Sequence, residues 1–274
     1  VEPCDGRRNW TSASSPAKTA GMTATPAWPP RSAPRLFVDQ PLNEGGSLRI
    51  EGNQAHYLLN VMRLTEGAAV KLFDDISGEY LGRVGARGKR DLMIEIEGLT
   101  RPREAVPDFW LCAAPIKKAR FDFLAEKACE LGVARFVPVL TDRAVVDKVK
   151  DDRLRGTMIE AAEQCERTAL PEIAPLTRLD ALLKAWPEGR HLFFADERLH
   201  DGSGGSLAAK LAAHLGPAGV LIGPEGGFTD AENAAIRAHP AAVPVSLGPR
   251  ILRAETAAIT ATAVWMAANG DWST

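Results

Sequence analysis

The spacing of apolar positions gives the chain two successive rhythms. From Arg35 to Glu97 the apolar residues come in short runs, several with period two. These are Arg35–Val38, Ser47–Ile50, Val70–Phe73, a stretch from Ile76 to Val84 turned by Ser77-Gly78, and Leu92–Glu97. Such runs bounded by turn residues predict strands. Asn53–Leu64 instead predicts a helix capped by Asn53, with Leu58, Leu59, Val61 and Met62 as its apolar surface. Several short strands with one helix describe a small β-barrel. Arg101-Pro102-Arg103 reads as the linker that follows it.

After Pro107 strands alternate with longer helices. The pattern predicts strands at Asp108–Ala113, Phe136–Leu140, His191–Ala195, Gly219–Ile222 and Val243–Leu247. Between them it predicts helices at Ala119–Leu131, closed by Gly132, and at Asp151–Thr168. Further helices are predicted at Ser206–Leu215, from Thr229 onward, and at Ala254–Asn269. Thr229-Asp230-Ala231-Glu232 has capping-box spacing. This alternation predicts an α/β layer around a mostly parallel sheet.

Residues 1–33 follow neither rhythm. Pro, Ser, Ala and Thr dominate, and no acid occurs from Gly6 to Val38, whereas Arg7, Arg8, Lys18, Arg31 and Arg35 are basic. This composition predicts a disordered extension. The alternative, an organellar targeting signal, lacks an amphipathic stripe. The domains expected are therefore 1–33 as extension, 34–103 as barrel and 104–274 as the α/β unit.

The 274 residues carry a formal net charge of -2, so the chain is not polybasic as a whole, although a local basic face remains compatible with an RNA partner. No run is apolar and long enough to span a membrane. Cys4, Cys112, Cys129 and Cys165 are widely separated, with no zinc spacing, and read as reduced thiols in a cytoplasmic protein without a metal.

Two loops follow the C-terminal ends of predicted parallel strands, where such sheets bind ligands. One is Gly223-Pro224-Glu225-Gly226-Gly227-Phe228; the other is Leu247-Gly248-Pro249-Arg250-Ile251-Leu252-Arg253, with Glu255 and Thr256 opening the last helix. A tight strand-to-helix turn explains one glycine loop; two Gly-Pro loops at successive strand ends point further, to a ligand site. The sequence contains no GxGxxG after the first strand, GxxxxGK[ST], HExxH or GxSxG, which disfavours dinucleotide, P-loop, zinc-protease and serine-hydrolase chemistry. Backbone groups, apolar side chains and arginine remain. They suit an adenosine-containing cofactor and an anionic nucleic acid.

Over residues 34–272 the sequence resembles the ribosomal RNA small-subunit methyltransferase E family, 16S rRNA (uracil-N3)-methyltransferases of the SPOUT superfamily. The resemblance rests on Leu221–Phe228 (LIGPEGGF), Leu247–Ala257 (LGPRILRAETA), Lys127–Pro138 (KACELGVARFVP) and Glu163–Ile173 (EQCERTALPEI). These four blocks follow HYLLNVMR at His56–Arg63. It implies a fold in which a PUA-like β-barrel precedes a trefoil-knotted SPOUT domain. It also implies S-adenosylmethionine (S-adenosyl-L-methionine) as cofactor, 16S ribosomal RNA or the small ribosomal subunit as partner, and a homodimer. The cofactor residues it implies are Leu221, Ile222, Gly223, Pro224, Glu225, Gly226, Gly227, Leu247, Gly248, Ile251, Leu252, Arg253 and Thr256. Another SPOUT activity, such as tRNA ribose 2′-O-methylation, and a non-catalytic ribosome-assembly factor are the competing readings.

Two residues are candidates for the chemistry. Arg253 would stabilise charge developing on uracil oxygens; its competing reading is a salt bridge to Glu255. Glu225 would polarise the site or accept a hydrogen bond; its competing reading is a loop residue bonding backbone amides. For RNA phosphates the candidates are Lys117, Lys118 and Arg120, then Arg143 and Arg167, and Lys89 and Arg90 in the barrel. A solvated charged face is the alternative for the first three.

Overall fold

A computed structural model describes residues 33–199 and 205–273. All but the last residue of the extension expected over 1–33 lies outside them. The first rhythm becomes a five-stranded sheet of β1 (Arg35–Phe37), β2 (Ser47–Ile50), β3 (Ala69–Phe73), β4 (Glu79–Arg87) and β5 (Leu92–Arg101), in the order β1-β3-β4-β5-β2. Its inner face buries Leu36, Leu48, Ile50, Val70, Leu72, Val84, Leu92, Ile94 and Ile96. The period-two alternation of these residues is the signal that predicted the strands. The helix starts one residue earlier than expected, as α1 (Gly52–His56), and continues as a π-turn over Tyr57–Val61. Glu51, not Asn53, occupies the cap position.

The second rhythm becomes a parallel sheet flanked on both faces. Its strands are β6 (Phe109–Ala113), β7 (Arg135–Leu140), β8 (Glu172–Ile173), β9 (Thr177–Arg178), β10 (His191–Ala195), β11 (Ala218–Ile222) and β12 (Ala242–Val245). They run β12-β10-β11-β6-β7-β8, with β9 pairing farther along β7. The helices are α2 (Lys118–Glu130), α3 (Asp151–Cys165), α4 (Leu179–Lys184), α5 (Leu207–Leu211), α6 (Asp230–Ala238) and α7 (Ala254–Asn269). Successive strand residues serve opposite faces. Leu111, Phe193, Val220 and Ile222 pack with α2, α3, α5 and α7, whereas Cys112, Leu192, Phe194 and Leu221 pack with α4 and α6. Strands covered on both sides must be apolar throughout, which is why these segments read as continuous apolar runs.

Local chemistry sets the helix ends. Gly132 adopts φ +87°, and the Gly132 and Val133 amides bond back to the Cys129 and Ala128 carbonyls, a Schellman closure of α2. The Thr229 capping box is fully formed. α3 stops three residues before the expected Thr168, because Glu166 turns left-handed at φ +63°. The helix opened by Ser206 stops at Leu211, short of the expected Leu215.

The two sheets meet through buried charge. Arg35 on β1 pairs with Glu79 on β4, lies 3.8 Å over the Phe73 ring, and donates to the Ala162 and Arg167 carbonyls at the end of α3. A cation there meets the negative end of the helix. Arg167 corrects the sequence expectation. Instead of facing RNA it is 5% exposed, and it donates to the Cys129 and Val133 carbonyls and to Glu104. With Nε, Nη1 and Nη2 each engaged in the interior, it offers no phosphate contact.

Candidate active site

Three neighbouring parallel strands, β12, β10 and β11, end on the same edge of the second sheet. The loops leaving them enclose a cavity of about 260 Å³. From β11 come Ile222, Gly223, Pro224, Glu225, Gly227 and Phe228; from β12 come Val245, Ser246, Leu247, Gly248, Arg250, Ile251, Leu252 and Arg253. From β10 come Ala195, Asp196 and Glu197, and α6 and α7 contribute Asn233, Ala254 and Ala257. The apolar walls with a few acids and arginines at their edges match the usual construction of a small-molecule site.

Two glycines are closely approached by side chains. A Cβ on Gly223 would stand 3.1 Å from the Phe228 ring. Gly227 holds φ +66°, and a Cβ there would run into the Glu197 carboxylate. Gly227 therefore needs the bare backbone, whereas a side chain at Gly223 would have to displace the Phe228 ring slightly. Gly226 differs: it does not line the cavity, and its carbonyl accepts a 2.8 Å hydrogen bond from Arg143 Nη1.

Ten of the thirteen residues expected around the cofactor line this cavity: Ile222, Gly223, Pro224, Glu225, Gly227, Leu247, Gly248, Ile251, Leu252 and Arg253. Three do not. Leu221 is buried against the opposite face of the sheet, Gly226 turns outward, and Thr256 is an exposed residue on α7. Asp196 and Glu197 carried no sequence signal, since nothing marks the end of β10 as a ligand loop. Asp196 is 4% exposed and paired with Arg237, which also bonds Asn233.

The charged candidates separate by environment. Arg253 caps α7 at the cavity edge and is exposed, while Glu255 pairs with Arg120 at 3.5 Å rather than with Arg253. Glu225 is exposed on the cavity rim. Lys117 and Lys118 are exposed at the start of α2. Lys89 and Arg90 occupy the turn between β4 and β5, on the other sheet. No group of three or more metal-ligating side chains occurs among the described residues, nor any helix long and apolar enough to cross a membrane.

A sequence profile described as an RNA methyltransferase domain matches residues 103–266, more than half of the chain, and one described as an RNA methyltransferase PUA domain matches residues 50–97. A ribosomal RNA small subunit methyltransferase E from Synechocystis is 35% identical over 218 residues, covering 77% of this chain and 69% of that protein. This chain belongs to the ribosomal RNA small-subunit methyltransferase E family. The family's protein from Rickettsia conorii is 29% identical over 232 residues, covering 84% of this chain and 93% of that protein. The crystal structure of the Neisseria gonorrhoeae member, bound to S-adenosyl methionine, superposes with a TM-score of 0.79 at 27% identity, covering 88% of this chain and 99% of that one. The α/β architecture with a PUA unit in front is thus that of the family.

Proposed function

We propose that this protein transfers a methyl group from S-adenosylmethionine to N3 of a uridine in 16S ribosomal RNA, acting on the RNA or the small subunit in the cytoplasm. The observation that carries the reading is the cavity where β10, β11 and β12 end, built from the LIGPEGGF and LGPRILRAETA segments with Arg253 on its edge. Its composition fits the cofactor. Ile222, Phe228, Leu247 and Leu252 offer apolar surface for a purine, bare glycine backbone admits close approach, and Glu197 and Glu225 place negative charge near a cationic ligand. When bound, the cofactor supplies an already activated methyl on a sulfonium.

The chain's own task is then to hold and polarise the base. Neutral uracil carries a proton at N3, so negative charge develops on the ring oxygens as that proton leaves. Arg253, exposed at the cavity edge and free of an ion pair among the described residues, is suited to stabilise that charge. Glu225 on the opposite loop is suited to accept a hydrogen bond from the base or cofactor. Lys117 and Lys118 at the start of α2, with Lys89 and Arg90 in the barrel turn, supply phosphate contacts. N3 lies on the pairing edge, so a paired target must first be exposed.

The reading extends to the knotted SPOUT arrangement and a homodimer. Membership of the family supports the first. Ala257, Ala258, Ala261 and Thr262 of α7 are buried within the chain, and the residues it leaves exposed, Thr256, Ala267 and Ala268, are small enough to support close packing against a second copy. Mass mapping of rRNA and tRNA nucleosides with and without the gene tests the activity. Loss of 3-methyluridine from 16S rRNA is expected. Unchanged 3-methyluridine, or loss of a different methylated nucleoside, overturns it. Sedimentation at micromolar concentration tests the dimer, and a monomer there would retire it.

A further inference from the structure

The loop that follows β7 does something the sheet does not require of it. β6 stands between β7 and β11, so the loops at the ends of β7 and β11 are not neighbours by strand pairing. Yet residues 141–143 reach across to the β11 loop and the start of α6. Arg143 Nη1 donates to the Gly226 carbonyl at 2.8 Å and to the Phe228 carbonyl at 3.3 Å. Its stem lies along Gly226, where a Cβ would stand 3.5 Å from both Cβ and Cδ of the arginine. One residue earlier, the Asp142 amide donates to Glu232 Oε1 at 2.8 Å. The other oxygen of Glu232 accepts from the Thr229 amide and hydroxyl within the capping box. Three hydrogen bonds thus tie this loop to the back of the cofactor loop and to the helix it feeds.

We infer that Arg143 is a positioning residue for the cofactor loop rather than a phosphate contact. The inference rests on the proposed S-adenosylmethionine reading of the cavity. The Gly226 peptide has no side chain to fix the direction of its carbonyl, whereas Phe228 is anchored by its buried ring. A cation bonded to both carbonyls from outside fixes them away from the cavity. That leaves Gly223, Pro224, Glu225 and Gly227 to face the ligand. Without the guanidinium the same loop samples orientations in which a carbonyl enters the cavity, and binding must select against them. The cost therefore falls on cofactor affinity, not on the chemical step.

The test compares Arg143→Ala and Arg143→Lys with the wild-type protein. Calorimetry with S-adenosylmethionine on the protein alone is combined with KM for cofactor, KM for RNA and kcat. For Arg143→Ala a rise of about tenfold in cofactor Kd and KM is expected, the order of one lost charge-assisted hydrogen bond. KM for RNA and kcat should change less than about twofold, and Arg143→Lys should recover part of the affinity by keeping a cation over the same carbonyls. Cofactor affinity unchanged in Arg143→Ala overturns the inference, as does a loss confined to RNA affinity or to kcat. If the wild-type protein binds no S-adenosylmethionine, the reading of the cavity fails instead, so the two failures are told apart.

Discussion

Arg35 Nε lies 2.5 Å from Glu79 Oε2 between side chains only 5% and 2% exposed, a buried ion pair within the first sheet that holds Arg35 against the second. Arg101 approaches the same carboxylate at 2.8 Å from the more exposed side. Glu79 thereby stands between two cations, and Arg35 carries the connection onward to the carbonyls of α3.

Replacing Glu79 by Ala leaves Arg35 buried without its counter-charge. The expected loss is about 3 kcal/mol of unfolding free energy, the scale for breaking one side of a buried pair. Urea unfolding monitored by circular dichroism reads it. A change below about 1 kcal/mol would show that the carbonyl contacts of Arg35 suffice alone.

The same carboxyl sets an acid limit on stability. Burial alone would push it upward, but hydrogen bonds from Arg101 and Arg35 and their positive charge hold it below the ordinary carboxylate range. A depressed folded-state value means the contribution is complete above the unfolded carboxylate range and is lost as pH falls through the folded value. Unfolding free energy of the wild-type protein should therefore fall below about pH 4. Glu79→Gln should show a shallower decline over the same interval in parallel denaturant titrations.

Gly227→Ala places a methyl group at φ +66° and against the Glu197 carboxylate. Cofactor affinity should drop by at least about tenfold, with strain of about 1 kcal/mol added by the left-handed backbone. Calorimetry measures the first and thermal unfolding the second. Wild-type affinity in this variant would mean that the ligand does not use the β11 loop.

Arg253→Ala should leave cofactor binding nearly intact and slow methyl transfer by about 10²–10³-fold, the range for removing one donor from a developing anion. Single-turnover transfer to RNA at saturating cofactor separates the two effects. A loss wholly in cofactor affinity would leave Arg253 a cofactor-binding residue only and remove it from the chemical step.

Cys165 is exposed at the end of α3, while Cys112 and Cys129 are buried. A hydrogen bond from the Cys129 thiol, the Arg167 amide and the charges of Arg167 and Arg35 hold the Cys165 thiol below its usual range. Burial pushes Cys112 up to about 12. Among the three described cysteines, iodoacetamide followed by peptide mapping should label Cys165 first, at a rate that levels off below the ordinary thiol value of about pH 8.5. A rate still climbing through pH 9 would contradict the lowered value.

Sequence pattern was sufficient where structure is decided locally. The capping box at Thr229, the Gly132 closure and the boundaries of α7 depend on residues a few positions apart, and all were readable. The cavity was readable in part, because glycines crowded at a strand end announce a need for bare backbone. The carbonyl bonds of Arg143 and the burial of Arg167 are invisible in sequence for one reason. A basic residue shows its charge in sequence, but its partners lie 83 and 34 residues away, and only the fold decides whether a phosphate or a carbonyl receives it. The acids at the end of β10 were missed because strand order, not chain order, sets β10 between β11 and β12.

Phe37 and Phe73 leave the first sheet and join the apolar cluster of the second, along with α3. The two halves therefore share part of one interior. A protein cut at the linker would expose two aromatic sockets on the catalytic half, with α3 stripped of the arginine that closes its end. Grafting another module in place of the barrel would need both rings and that arginine reproduced, because the barrel completes the interior of the second unit.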